Sequence, residues 1–419
     1  MKKSTVLIGK GARAVARIKG GGSALPGLIT EKIDPGFLAN VLSDLPLGMV
    51  VVSGTNGKTT TTKMVVELLE SYGLKVFTNR TGSNFTRGVV SSLLGEIRNF
   101  KLNADIAVLE LDEAHAVQFV HQVKPTYALL LNVLRDQLDR FSEIDKTAKL
   151  LSEIARNTTG GIVLNRDDPR IAALAENADI PVKYFGYKSN LADKFPNDDE
   201  LHTKKSTKIA SKSKTDVELT DFSNRQATYD IDGKSFTTPL LLRGAHNTLN
   251  AAAALAITRM VLGKKVNNEK LMSALSQVKP AFGRGESVVI NGQELEMILV
   301  KNPAGFRIAI AGQYDPNMAV MISINDHFAD GRDVSWLYDV DFTAMKEVSV
   351  VSGIRAYDMA LRLQYDDIKV GLIEPDLRKA LSKFLSDNSD KPKQIYCTYT
   401  TMLKLRKLIG AIVKIEDAL

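Results

Sequence analysis

The run Gly54-Thr-Asn-Gly-Lys-Thr-Thr-Thr-Thr62 is built for phosphate chemistry. It follows an apolar stretch, Met49-Val-Val-Val-Ser53, and precedes a helical pattern over residues 63–70. Strand, Gly-rich turn and helix form the context that a phosphate-binding loop requires. Backbone N–H groups of such a turn, at a helix N-terminus, point at anionic oxygens. Lys58 can reach the β- and γ-phosphates of a nucleotide, and the Thr59 hydroxyl can ligand Mg²⁺. Val52 stands where the longer G-x-x-x-x-G-K-[ST] pattern has its first Gly, yet the shorter form keeps every group that does chemistry. Glu110, at the end of an apolar run, is placed to hold the same Mg²⁺. A helix N-cap is the other use for a carboxylate there, and it suits Asp112 better. Arg284, between two glycines, can reach into a cleft between domains and clamp a γ-phosphate, or else is an exposed linker residue. His246 fits packing near a base or capping a helix better than proton transfer. Cys397 lies in Gln394-Ile-Tyr-Cys-Thr-Tyr399, with no histidine near it in sequence. That points to a buried structural thiol, not a nucleophile.

These groups need a scaffold. Apolar runs at 49–53, 75–78, 106–111, 127–132 and 161–165 alternate with helical patterns such as 59–72 and 145–156. Near-continuous apolar strands between helices predict a parallel sheet covered on both faces. Ligands bind beyond the carboxyl ends of such strands, where the loop, Glu110 and Asn132 all fall. Residues 187–236 depart from the pattern and read as an insertion. It contains a Lys-rich polar stretch, 201–214, and a short hairpin turning at Asp232-Gly233. An Ala-rich helix follows 243–247. Strands recur at 296–300, 319–324 and 347–351, so the second domain is also α/β. The expected division is a lead-in of 1–45 packing on a central nucleotide-binding domain of 46–283, then a smaller Rossmann-like domain of 284–419.

The chain has 419 residues, too many for one core. It carries a formal net charge of +7, spread along its length apart from the Lys-rich stretch. Aromatics make up 6%, which argues against a base-stacking nucleic-acid surface. A single cysteine rules out an internal disulfide or a thiolate zinc site and fits a reducing compartment. The N-terminus lacks the apolar core of a signal peptide, and no apolar run approaches the ~18 residues of a membrane helix. The expectation is a cytoplasmic protein able to dock peripherally at the inner face of the plasma membrane.

The phosphate loop, the stretch from Asn132 to Asp139-Arg140, Asn165-Arg-Asp-Asp-Pro169, Gly244-Ala-His-Asn247 and Phe282-Gly-Arg284 resemble the central ATP-binding domain of the Mur ligase family. Further runs resemble one branch of it, the synthetase subunits of lipid II isoglutaminyl synthase. They are the Gly-rich lead-in 20–27, Leu299-Val-Lys-Asn-Pro-Ala-Gly305, Asp333-Val-Ser-Trp-Leu-Tyr-Asp339 and Ser352-Gly-Ile-Arg-Ala-Tyr-Asp358. The resemblance implies ATP on Asn56, Gly57, Lys58, Thr59, Thr60, Asn247 and Arg284, with Mg²⁺ on Thr59 and Glu110. It implies amidation of the α-carboxylate of D-glutamate in the lipid II stem peptide through an acyl phosphate. Ammonia would come from a GatD-type glutamine amidotransferase forming a heterodimer with this chain. Asp339 would complete that partner's Cys/His pair, with Asp333 and Asp341 as nearby alternatives. Members of this branch commonly carry a four-cysteine zinc ribbon. Residues 187–236 contain no cysteine, so no zinc is expected. Nucleic acid is not expected as a partner. Two competing readings are a stand-alone Mur-type ligase that adds an amino acid, and a nucleotide-binding interaction subunit without chemistry.

Overall fold

Runs of Val, Ile and Leu make the central strands of the first sheet. Its strands are β1 (Met49–Ser53), β2 (Val76–Thr78), β3 (Ile106–Glu110), β4 (Tyr127–Leu130), β5 (Gly161–Asn165), β6 (Val182–Tyr187), β7 (Val217–Ser223), β8 (Gln226–Ile231) and β9 (Lys234–Pro239). Their order is β2-β3-β1-β4-β5-β6-β7-β8-β9. Pairing is parallel from β2 to β7 and antiparallel through β8 and β9. β1, β3 and β5 are buried along their whole length, as strands covered on both faces must be. The computed structural model describes residues 2–18, 24–79, 85–134, 144–195, 214–223, 225–280 and 284–413, without the side chains of 17, 18 and 284–286. Most of the Lys-rich stretch, residues 201–213, and the Phe282-Gly283 border therefore lie outside the described residues. The strands after that stretch are not set apart from the sheet. β7 pairs with β6 and carries the sheet outward, and Asp232 and Gly233 turn the β8–β9 hairpin with φ of +55° and +79°.

The lead-in is helical: α1 (Lys3–Ile18), α2 (Ala24–Ile33) and α3 (Phe37–Leu42). Then come α4 (Lys58–Glu70), α5 (Thr86–Glu96), α6 (Glu113–Gln122), α7 (Ile144–Asn157), α8 (Pro169–Ala172), α9 (Ala245–Leu262) and α10 (Asn268–Leu275). One face of the sheet packs on α4 and α9, whose residues Ala251 to Ala256 have no exposure at all. The other face packs on α1, α3, α5, α6 and α7. Gly27 looks like a breaker in sequence. In the fold it lets α2 approach α5, since a Cβ there would lie 2.2 Å from the Arg87 carbonyl oxygen.

The second sheet has the order β10-β11-β15-β12-β13-β14. Its strands are β10 (Arg284–Ile290), β11 (Gln293–Leu299), β12 (Ala319–Ser323), β13 (Glu347–Ser352), β14 (Lys369–Glu374) and β15 (Lys393–Cys397). Only β10–β11 is antiparallel. Helices α11 (Pro303–Gln313), α12 (Ala356–Tyr365), α13 (Leu377–Asp387) and α14 (Tyr399–Gly410) cover it. Both sheets have the α/β architecture that the sequence predicts. Among the described residues, no helix is long and apolar enough to cross a membrane.

Candidate active site

The turn between β1 and α4 curls because two of its glycines take conformations that side chains resist. Gly54 has φ +132° and Gly57, the N-cap of α4, has φ +89°. A Cβ on Gly57 would also lie 2.4 Å from Asn250 Oδ1. The turn is anchored from β4. Asn132 Oδ1 accepts from the Asn56 N–H at 2.8 Å, and Asn132 Nδ2 donates to the Asn56 carbonyl at 3.0 Å. Asp168, behind it, accepts from the Val133 N–H at 2.7 Å and caps α8. Burial pushes the Asp168 carboxyl up, and backbone N–H donors from Val133, Ile171 and Arg170 draw it back.

Lys58 is almost fully buried. Its Nζ donates to the Gly54 carbonyl at 2.5 Å and the Thr55 carbonyl at 3.2 Å, and pairs with Glu113 Oε1 at 3.3 Å. Thr59 Oγ1 donates to Glu110 Oε1 at 2.9 Å. Asn79, just after β2, holds the Glu110 backbone from both sides: its Nδ2 donates to the carbonyl at 2.8 Å and its Oδ1 accepts from the N–H at 3.0 Å. Asp112 caps α6, accepting from the Ala114 N–H at 3.3 Å. Thr60 is buried in the first turn of α4. Asn247 donates to the Arg243 carbonyl at 2.7 Å and accepts from Asn250, the residue that lies against Gly57. His246 does not cap α9, whose N-cap is Gly244 with φ +95°.

Asn56 to Thr60, Glu110 and Asn247 thus lie around one turn. Arg284 opens β10, and its side chain lies outside the described part. Asp339 sits elsewhere, at the end of a 3₁₀ turn over Ser335–Asp339 in the second lobe. Arg362, buried in α12, braces that turn by donating to the Leu337 carbonyl at 3.2 Å and the Val340 carbonyl at 2.6 Å. Asp333 and Asp341 are engaged in their own loops, accepting from the Ser335 N–H at 2.8 Å and the Thr343 N–H at 2.9 Å. Asp339 makes no side-chain hydrogen bond or ion pair among the described residues. Asn79, Glu113 and Asn302 were not singled out from sequence. Asn79 had a legible signal, a polar residue just past an apolar strand.

The donor set fits a nucleotide with a hard cation. Thr59 and Glu110 offer adjacent oxygens of the kind Mg²⁺ takes. Asn56 Nδ2 is buried and has no hydrogen-bond partner among the described residues, a donor that a phosphate oxygen would satisfy.

Residues 52–258 match the Mur ligase middle domain family, and residues 299–402 match the MurT ligase C-terminal family. Subunit MurT of lipid II isoglutaminyl synthase (glutamine-hydrolyzing) from Staphylococcus aureus strain COL is 30% identical over 402 residues, 89% of each chain. The chain belongs to the MurT family. The subunit MurT of Streptococcus pneumoniae strain R6 is 28% identical over 97% of this chain and 96% of its own. MurT proteins are ligases of cell-wall synthesis, and this chain is one of them. The fold is that of the wider Mur group. MurF from Acinetobacter baumannii superposes with a TM-score of 0.69 at 19% identity, over 93% of this chain and 81% of that one. MurF from Thermotoga maritima in complex with ADP gives 0.68 at 18%, over 91% and 83%.

Proposed function

We propose that this MurT-family chain amidates the α-carboxylate of D-glutamate in the lipid II stem peptide, using ATP and ammonia from a GatD-type glutaminase subunit. The observation that carries the reading is the Thr59–Glu110 pair beside Lys58, in a loop whose Asn56 amide awaits an acceptor. A carboxylate oxygen attacks the γ-phosphorus of ATP, and the bond from that phosphorus to the ADP oxygen breaks. Ammonia then attacks the acyl carbon of the acyl phosphate. The carbon–oxygen bond to phosphate breaks, and a proton leaves the nitrogen for phosphate or solvent. Lys58 and Arg284 offset charge on the transferred group, and the loop N–H groups orient it. Thr59 and Glu110 would hold Mg²⁺, which supplies charge neutralisation on the phosphates.

Ammonia must come from elsewhere. Cys397 is fully buried, and burial pushes its thiol up, far from the thiolate that glutamine hydrolysis needs. Asp339 is the group we assign to the partner, where it orients and stabilises a histidine cation. Beside it lies an apolar stripe suited to a protein subunit. Tyr357, Leu361 and Tyr365 recur every four residues on α12 and stay exposed, and the exposed Tyr338 sets its ring against Tyr365 at 6.0 Å. An uncommitted carboxylate at the edge of that stripe favours a partner bringing a cation or N–H donor over a lipid surface or a second copy. Lipid II as substrate implies work at the inner face of the plasma membrane. We place the domain borders at 1–45, 46–283 and 284–419.

The test is co-purification with the amidotransferase, followed by a glutamine- and ATP-dependent assay on lipid II. D-isoglutamine in the product is expected. No product from a folded complex, with ammonia or with glutamine, would sink the proposal.

A further inference from the structure

Asn302 joins the second lobe to the phosphate loop. It follows β11, is fully buried, and caps α11 by accepting from the Gly305 N–H at 2.7 Å. Its Nδ2 donates across to Asn56 Oδ1 at 3.2 Å. The Asn56 backbone is already clamped by Asn132 of the first lobe. One loop residue is therefore gripped by the first lobe through its main chain and by the second through its side chain. The far end of α11 rests on the other segment near the loop. Gln313 Nε2 donates to the Arg243 carbonyl at 3.4 Å, and that carbonyl also accepts from Asn247. Arg243 in turn pairs with Glu294 of β11 at 3.1 Å. α11 thus spans the distance between the loop and the start of α9.

We infer that Asn302 is a positioning residue that couples nucleotide binding to the placement of the second lobe, through its hydrogen bond to Asn56. The inference rests on the reading of 54–60 as the ATP site. The Asn56 amide has two ends, an oxygen held by Asn302 and a buried Nδ2 still to be satisfied. Fixing the oxygen fixes where Nδ2 points. ATP then binds most tightly when the second lobe is in place, and by reciprocity bound ATP holds that lobe on the loop.

The experiment is ATP titration of the co-purified complex carrying Asn302→Ser. Serine keeps a cap acceptor for α11 and loses the reach to Asn56. The ATP Kd is expected to rise roughly 2- to 10-fold, the range of one neutral hydrogen bond, with the melting temperature without ATP nearly unchanged. Asn302→Asp keeps the acceptor but faces Asn56 Oδ1 with a second oxygen, and should weaken ATP at least as much. Asn56→Ala should weaken ATP binding too. The double variant Asn56→Ala/Asn302→Ser should lose no more than Asn56→Ala alone, because both act through one contact. Unchanged ATP affinity in both Asn302 variants, or losses that multiply in the double variant, would overturn the coupling while leaving the ATP site standing. Failure of the unaltered complex to bind ATP would overturn the site and the coupling together.

Discussion

Lys58 is held in place by groups of the protein itself. It is buried against Glu113 and two loop carbonyls, and in the proposed ATP complex phosphate takes the place of Glu113 or joins it. Lys58→Ala should lower lipid II amidation by on the order of 10²–10³-fold, measured with saturating ammonia, since a preorganised charge facing the transferred group is lost. Glu113→Gln strips a buried cation of its carboxylate and should destabilise the protein by roughly 3 kcal/mol in thermal unfolding. ATP should then raise the melting temperature of Glu113→Gln more than that of the natural chain, because phosphate restores a counter-charge. Equal shifts would remove Glu113 from the site. Asp339→Asn should cut glutamine-dependent turnover by on the order of 10²–10⁴-fold and leave turnover with free ammonia intact. A parallel loss with both nitrogen sources would place Asp339 outside the partner's hydrolytic site.

The turn that presents Asp339 depends on how α12 is tied to it. Arg362 bonds the Leu337 and Val340 carbonyls and pairs with Asp366, whose carboxylate accepts from the Phe342 N–H at 2.9 Å. The Arg362 hydrogen bond holds the Asp366 carboxyl below the usual carboxylate range. A depressed folded value means that this contribution is complete above the unfolded value near pH 3.9 and is lost as pH falls through the folded one. Stability should therefore fall from about pH 4 downwards, and Asp366→Asn should flatten that part of the pH–melting curve. At this scale the sequence was most legible where one signal dominated. β1, β3 and β5 are unbroken apolar runs, and the glycines at 54 and 57 could only serve a turn. It was least legible where tertiary contact decided. Gly27 was visible only as the end of a Gly-rich run, and its place inside α2, close against α5, depends on that packing. The break in pattern over 187–236 gave no sign of the pairing, in which β7 joins β6 and β8 and β9 follow it, so that the sheet continues through that segment. Asn302 was visible only as part of a motif, since its use as both cap and bridge depends on a partner 246 residues away.

As a whole, the molecule carries the glycine turn at 54–57 after a strand of its first sheet and the turn ending at Asp339 in its second lobe, with α11 touching both segments beside the first turn. Such a division suits a reaction in which one site activates a carboxylate and a different subunit releases the amine. In the proposed reaction ATP transfers its γ-phosphoryl group to the substrate carboxylate. The most direct measurement uses lipid II labelled with oxygen-18 in the D-glutamate α-carboxylate, turned over by the complex with ATP and glutamine. ADP is expected as the nucleotide product, with transfer of label from the carboxylate into inorganic phosphate and loss of both in Lys58→Ala. Amidation with unlabelled phosphate, or with AMP and pyrophosphate as products, would contradict the proposed reaction.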